Sequence, residues 1–117
     1  MKKRMLVVND DEGIQVLLAR LFGEKLDIFS AFTLEQGKKL FGKNPTVDLV
    51  VMDGCVDNQQ HELDSIELTR EIRATYQGPM LACSSFPDYN NQLMKAGCDY
   101  NVGDLGLIGS IKKILGI

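Results

Sequence analysis

The sequence predicts an α/β protein: a parallel sheet with helices on both faces. Three observations carry this. Strand-like and helix-like segments alternate along the whole chain, a pattern that builds parallel sheets with helical crossovers. Three short apolar runs, Met5–Val8, Leu49–Met52 and Met80–Cys83, have the length and composition of buried strands. Each stops abruptly at polar residues: Asn9-Asp10-Asp11, Asp53, and Ser84-Ser85. In open α/β sheets ligands bind beyond the carboxyl ends of the strands, so carboxylates and a hydroxyl stand where such proteins do their chemistry.

Taken in order, the first strand spans 4–8. Gly13 to Phe22 reads as a helix, with Ile14, Val16, Leu17, Leu18, Leu21 and Phe22 forming a broad apolar face. A short strand is expected at 26–29. Thr33 opens the next helix, Gln36 matching a capping box, and Leu34, Gly37, Leu40 and Phe41 recur at helical spacing. Asn44-Pro45 marks a loop before a strand over 47–52. The polar stretch 56–63 has no periodicity and reads as an exposed loop. A helix follows, with Ile66, Leu68, Ile72 and Tyr76 inward and Glu67, Arg70, Glu71 and Arg73 outward. Gly78-Pro79 breaks the chain before the strand at Met80. Pro87 suits the first turn of a helix that carries Leu93, Met94 and Ala96 and ends at Gly97. A weak fifth strand spans 100–102. The last helix runs over 105–114, with Leu105, Ile108, Ile111 and Ile114 or Leu115 facing the core. Met80 and Met94 read as core fillers. The Lys38-Lys39 and Lys112-Lys113 pairs read as solvated helix faces.

At 117 residues the chain predicts one domain spanning 1–117, without repeats or linkers. Hydrophobic residues make up 44% and charged residues 25%, as in ordinary globular domains. A net charge of -3 gives no basic field for nucleic acid. No apolar run nears the ~18 residues of a membrane span, and the apolar stretch behind Lys2-Lys3-Arg4 is too short for a signal peptide. The odd number of cysteines, Cys55, Cys83 and Cys98, shows no metal-ligand spacing, and Cys83 reads as a small core residue. A reduced, cytoplasmic setting is expected. His61, the one histidine, sits in the polar loop and reads as solvated.

Strand-ending Asn9-Asp10-Asp11, strand-ending Asp53, Ser84 after the fourth strand, and Ala96-Gly97-Cys98-Asp99-Tyr100 occur in that order. Together they resemble the receiver domain of two-component response regulators, over the whole chain. The resemblance implies a three-layer, doubly wound, flavodoxin-like sandwich with a five-stranded parallel sheet in the order 2-1-3-4-5. It implies that Asp53 is the phosphoacceptor and Ser84 the hydroxyl that contacts the phosphoryl group. Ser84 and Tyr100 would act as switch residues. It further implies Mg²⁺, or Mn²⁺ in its place, held by Asp10, Asp53 and the backbone carbonyl of Cys55, with Asn9 reaching the ion through a water. A register shifted by one would instead make Asp10 and Asp11 the acidic pair. The implied partners are a histidine kinase or phosphotransfer protein and an unidentified downstream protein, with no nucleic acid, no membrane, and a monomer or weak dimer. No output domain follows Ile117 in this sequence, so output is expected through partner binding. The protein is expected to be a signalling phosphoacceptor rather than an enzyme, catalysing at most its own phosphorylation and dephosphorylation.

Such chemistry suits these residues. A carboxylate can attack phosphorus to give an acyl phosphate, and a divalent cation offsets the repulsion between two anions. Mg²⁺ prefers oxygen ligands.

The sequence departs from the family at two places. Receivers carry a lysine at the end of the fifth strand, and here either Gly103 or Asp104 occupies its position. That removes a charge-assisted contact to phosphate. The segment after Asp53 is also longer than usual, so it could cover the site, form a partner surface, or do neither. A phosphorylation-independent pseudo-receiver, used as a protein-interaction module, is the alternative that the missing lysine and Asn9 favour and that Asp10, Asp53 and Ser84 oppose. A flavodoxin-like electron carrier conflicts with acidic Asn9-Asp10-Asp11-Glu12 where FMN phosphate would bind. An aspartate-nucleophile phosphohydrolase lacks its second Asp, since Cys55 stands there.

Overall fold

A computed structural model describes residues 2–117. The five strands are β1 (Lys3–Val8), β2 (Leu26–Ala31), β3 (Leu49–Met52), β4 (Met80–Ala82) and β5 (Tyr100–Asn101). The helices are α1 (Glu12–Phe22), α2 (Leu34–Lys43), α3 (Ile66–Thr75), α4 (Pro87–Ala96) and α5 (Gly106–Leu115), the last preceded by a 3-10 turn over Gly103–Leu105. All strand pairs are parallel and the order is β2-β1-β3-β4-β5.

The apolar runs become strands because both of their faces are covered. Alternate residues go to opposite sides of the sheet. Leu6, Val8, Val50 and Met52 join the core beneath α2, α3 and α4. Met5, Val7, Leu49 and Val51 join the core beneath α1 and α5. Helix ends follow local chemistry. The Asp11 carboxylate accepts from the Ile14 amide (3.2 Å) and the Thr33 hydroxyl from the Gln36 amide (3.1 Å). Pro87 occupies the first turn of α4, and Gly97 ends that helix at φ +141°.

Several expectations need correction. Val16, Leu17 and Leu21 of α1 are exposed, and Gln15 is buried in their place. Only one stripe of α1 meets the sheet. At its end the Gln15 amide nitrogen donates to the carbonyls of Val7 (3.2 Å), Asn9 (3.0 Å) and Ala31 (3.1 Å), tying α1 to the ends of β1 and β2. Arg73 is half-buried rather than outward. Its guanidinium binds the Asp99 carboxylate (3.0 Å) and the carbonyls of Tyr76, Gly78 and Gly97. Leu105 is exposed because the chain makes the 3-10 turn there before α5 begins. Val56, read as loop surface, is buried in the core under α2 and α3. Cys83 packs partly buried against the core under α1 and α5, as a small core residue should, and Cys98 is buried as well. No helix among the described residues is long and apolar enough to cross a membrane.

Candidate functional site

The sheet register builds the site. Val8, Met52, Ala82 and Asn101 form one cross-sheet row. The next residues along, Asn9, Asp53, Cys83 and Val102, therefore emerge side by side at the carboxyl edge. Backbone bonds hold that edge: the Asp53 amide donates to the Val8 carbonyl (3.0 Å), Cys83 to Met52 (3.0 Å) and Val102 to Ala82 (3.2 Å). A cleft of about 670 Å³ opens above it, lined by Asn9, Asp10, Asp11, Asp53, Cys55 and Ser84, with Ile14, Val102 and Leu107 on the apolar side.

Asp53 is the most perturbed carboxyl. Its pKa is pushed up to about 6, first by burial and then by the charges of Asp10, Asp64 and Asp11, against a lowering hydrogen bond from the Gly54 backbone. Burial and the neighbouring carboxylates thus make Asp53 hold its proton more tightly than an exposed carboxyl does. Of the three residues after β1, Asn9 is buried and its side-chain oxygen accepts from the Asp11 amide (2.9 Å). Asp11 is engaged in capping α1. Asp10 is exposed on the cleft, its carboxylate free of hydrogen bonds to the described residues. Asp10 and Asp53 bring two carboxylates to the cleft beside Cys55, and no trio of His, Cys, Asp or Glu side chains gathers among the described residues. Such all-oxygen donors fit a hard ion that keeps several waters, rather than zinc. Burial and the nearby Asp53 raise the Cys55 thiol, and burial raises Cys83 well above the usual range, so neither is poised as a thiolate.

Ser84 is buried at the cleft floor. Its hydroxyl accepts from the Phe86 amide (3.1 Å), and its backbone exchanges two 2.8 Å bonds with the Asn90 side chain. Gly54 is needed beside it, because a Cβ there would stand 3.2 Å from the Ser84 hydroxyl. Tyr100 is about half exposed on β5 and does not line the cleft. Gly103 sits at φ +48° and Asp104 is exposed, so neither position that would carry a lysine supplies a cation.

The loop between Met52 and Ile66 is organised by its own polar residues. The Asp64 carboxylate accepts from the Val56 amide (2.8 Å), the Asp57 amide (2.7 Å) and the Asn58 side chain (3.0 Å). Asn58 also makes reciprocal bonds with the Glu62 backbone (2.7 and 2.8 Å). Asp57 accepts from the Leu34 amide at the start of α2 (3.1 Å). These bonds place Asn58, Gln59 and His61 on the cleft wall. His61 is exposed, as expected of a solvated residue, yet it belongs to the site. Nothing in the sequence signals this, because the turn that carries it depends on side-chain bonds without periodicity.

No family model matches the sequence, and no curated protein does. Solved structures match closely in shape. A response regulator from Burkholderia pseudomallei, with a phosphorylated aspartic acid, calcium ion and citrate, superposes with a TM-score of 0.80 at 20% identity, over 97% of this chain and 66% of that one. A response regulator from Chloroflexus aurantiacus gives 0.79 at 19% identity over the full length of both. The BeF3-activated receiver domain of Klebsiella pneumoniae RstA gives 0.79 at 18% identity, over 97% and 96%. Sheet order, helix placement and these superpositions agree: the chain has the fold of response-regulator receiver domains.

Proposed function

We propose that this chain is a phosphoacceptor receiver of two-component signalling, carrying its phosphoryl group on Asp53. The observation that supports it is the convergence of Asp53, Asp10 and buried Ser84 on one cleft at the sheet's carboxyl edge. A histidine kinase or phosphotransfer protein is the proposed donor. An Asp53 carboxylate oxygen forms the new bond to phosphorus as the donor's P–N bond breaks, and the bonding pair leaves with the imidazole. The phosphorylated aspartate and bound calcium of the Burkholderia regulator support the same chemistry here. Mg²⁺ would be held by Asp10, Asp53 and the Cys55 carbonyl, with Asn9, through its remaining lone pair, holding a bound water. The ion would supply charge neutralisation. Ser84 would donate its O–H to a phosphoryl oxygen while accepting from the Phe86 amide, so linking the site to the start of α4. Tyr100 is proposed as the responding aromatic on β5. The protein would act as a signalling phosphoacceptor, not as an enzyme on other substrates, with output by partner binding.

The absence of any Lys or Arg from the cleft lining, with Gly103 in a left-handed conformation, favours a second reading as a pseudo-receiver that docks partners without phosphorylation. Intact mass after incubation with a small phosphodonor and Mg²⁺ separates the two. One added phosphoryl group, lost in Asp53→Asn and without metal, supports the phosphoacceptor. An unchanged mass supports the docking module.

A further inference from the structure

The cleft is short of positive charge. Asp10, Asp11 and Asp53 line it, and no Lys or Arg does. A phosphoryl group on Asp53 would replace the single carboxylate charge with an acyl phosphate carrying about -1.5 to -2, up to about one further negative charge. Ion pairing with a cationic donor is the usual remedy, and here the strand-5 position supplies none. Position 103 sits at φ +48°, a conformation that suits glycine better than lysine, while Val102 and Leu107 make that side apolar. One residue on the cleft wall can carry positive charge: His61.

We infer that His61 supplies the cationic contact to the phosphoryl group, from the cleft wall formed by the β3–α3 loop. The inference rests on the phosphoacceptor reading of Asp53. His61 is held rather than loose. Its backbone sits at φ +58°, the one non-glycine residue with positive φ among the described residues. Such a conformation is disfavoured for a residue with a Cβ and persists only where its surroundings impose it. The reciprocal Asn58–Glu62 bonds enclose the turn. The Tyr89 hydroxyl donates to the His61 carbonyl (2.8 Å), and the ring lies 6.3 Å from that of Phe86, two residues beyond Ser84. The loop is thus fastened to the α4 segment that also carries the phosphoryl-contacting hydroxyl.

The ionisable carboxyls that line the cleft with His61 are Asp10, Asp11 and Asp53. Glu62 and Asp64 share its loop, and Asp88 lies in the first turn of α4. In the transfer step the Asp53–phosphorus bond forms and the donor bond breaks as above. His61 donates a hydrogen bond to a phosphoryl oxygen and neither gains nor loses a proton.

The single histidine makes the test direct, because its ring gives one Cε1–H signal. The full chain is treated with Mg²⁺ and beryllofluoride, a phosphoryl mimic, and the ring signal is titrated with pH. The expected result is a higher titration midpoint with the adduct, absent in Asp53→Asn. In parallel, phosphoryl uptake from a small donor is followed by intact mass. His61→Gly, which relaxes the positive φ and so folds, should slow uptake by about tenfold, the loss of one charge-assisted hydrogen bond. His61→Lys should recover most of it. If Asp53 takes the adduct and the phosphoryl group while the ring signal stays put and His61→Gly keeps the wild-type rate, the inference is overturned and the Asp53 reading stands. If wild type takes neither, the Asp53 reading falls and this inference with it.

Discussion

Asp53 is an ionised group the fold would be more stable without. Its carboxyl moves from 3.8 to about 6 on folding, mainly through burial. The folded chain therefore binds that proton more tightly than the unfolded chain does. Between pH 4 and 6 the unfolded state holds fewer protons, so stability falls as pH rises through that window. At about 1.4 kcal/mol per tenfold change in proton affinity, the full penalty above pH 6 is about 3 kcal/mol, and partial exposure of the group brings it nearer 1–2. Asp53→Asn keeps the shape and removes the charge. In chelator at pH 8 it should be more stable than wild type by about 1–3 kcal/mol, a rise in Tm of roughly 4–15 °C for a chain of this size. At pH 4 the gain should shrink below about 1 kcal/mol, because wild type is then protonated there. Urea unfolding at both pH values measures this. The reasoning fails if the variant is no more stable at pH 8, or if its advantage is equal at pH 4.

Three further outcomes follow from packing. Arg73→Met removes one ion pair and three carbonyl contacts and should cost about 2–4 kcal/mol in urea unfolding. Arg73→Lys should recover little, since an ammonium cannot fork to four acceptors. Gly97→Ala meets both a φ of +141° and the Arg73 methylenes, 2.7–3.0 Å from the new Cβ, and should lose about 2–3 kcal/mol by the same measurement. Gln15→Leu strips a donor from three buried carbonyls and should lose about 1–3 kcal/mol, with faster amide exchange in β2.

The strand-end residues were legible because each apolar run stops at the sheet edge. A buried strand needs Val, Leu or Met until its last covered position, and Asp53 and Asn9 are the first residues beyond it. The order of the strands came only through the family resemblance, and the structure carries it. The inner face of α1 was not legible. Its exposed leucines look like core, and Gln15, which is core, looks like surface until three strand-end carbonyls are placed around it. The β3–α3 loop was opaque for a different reason. Asp64, Asn58 and Asp57 act through individual hydrogen bonds, which leave no repeat in the sequence. The same holds for Arg73, whose acceptors come from two separate segments, 76–78 and 97–99.

The fastening of that loop has a thermodynamic consequence. Ordering a free loop costs roughly 1–2 kcal/mol per residue. Here the Asp57–Leu34, Asp64–Val56 and Tyr89–His61 bonds hold it at both helices before any ligand arrives. Most of the ordering entropy is thus spent in folding. The cleft is preorganised, and its affinity for an ion or an anion is governed by charge and hydration, not by loop closure. Binding should then respond steeply to ionic strength and only weakly to substitutions that stiffen the loop.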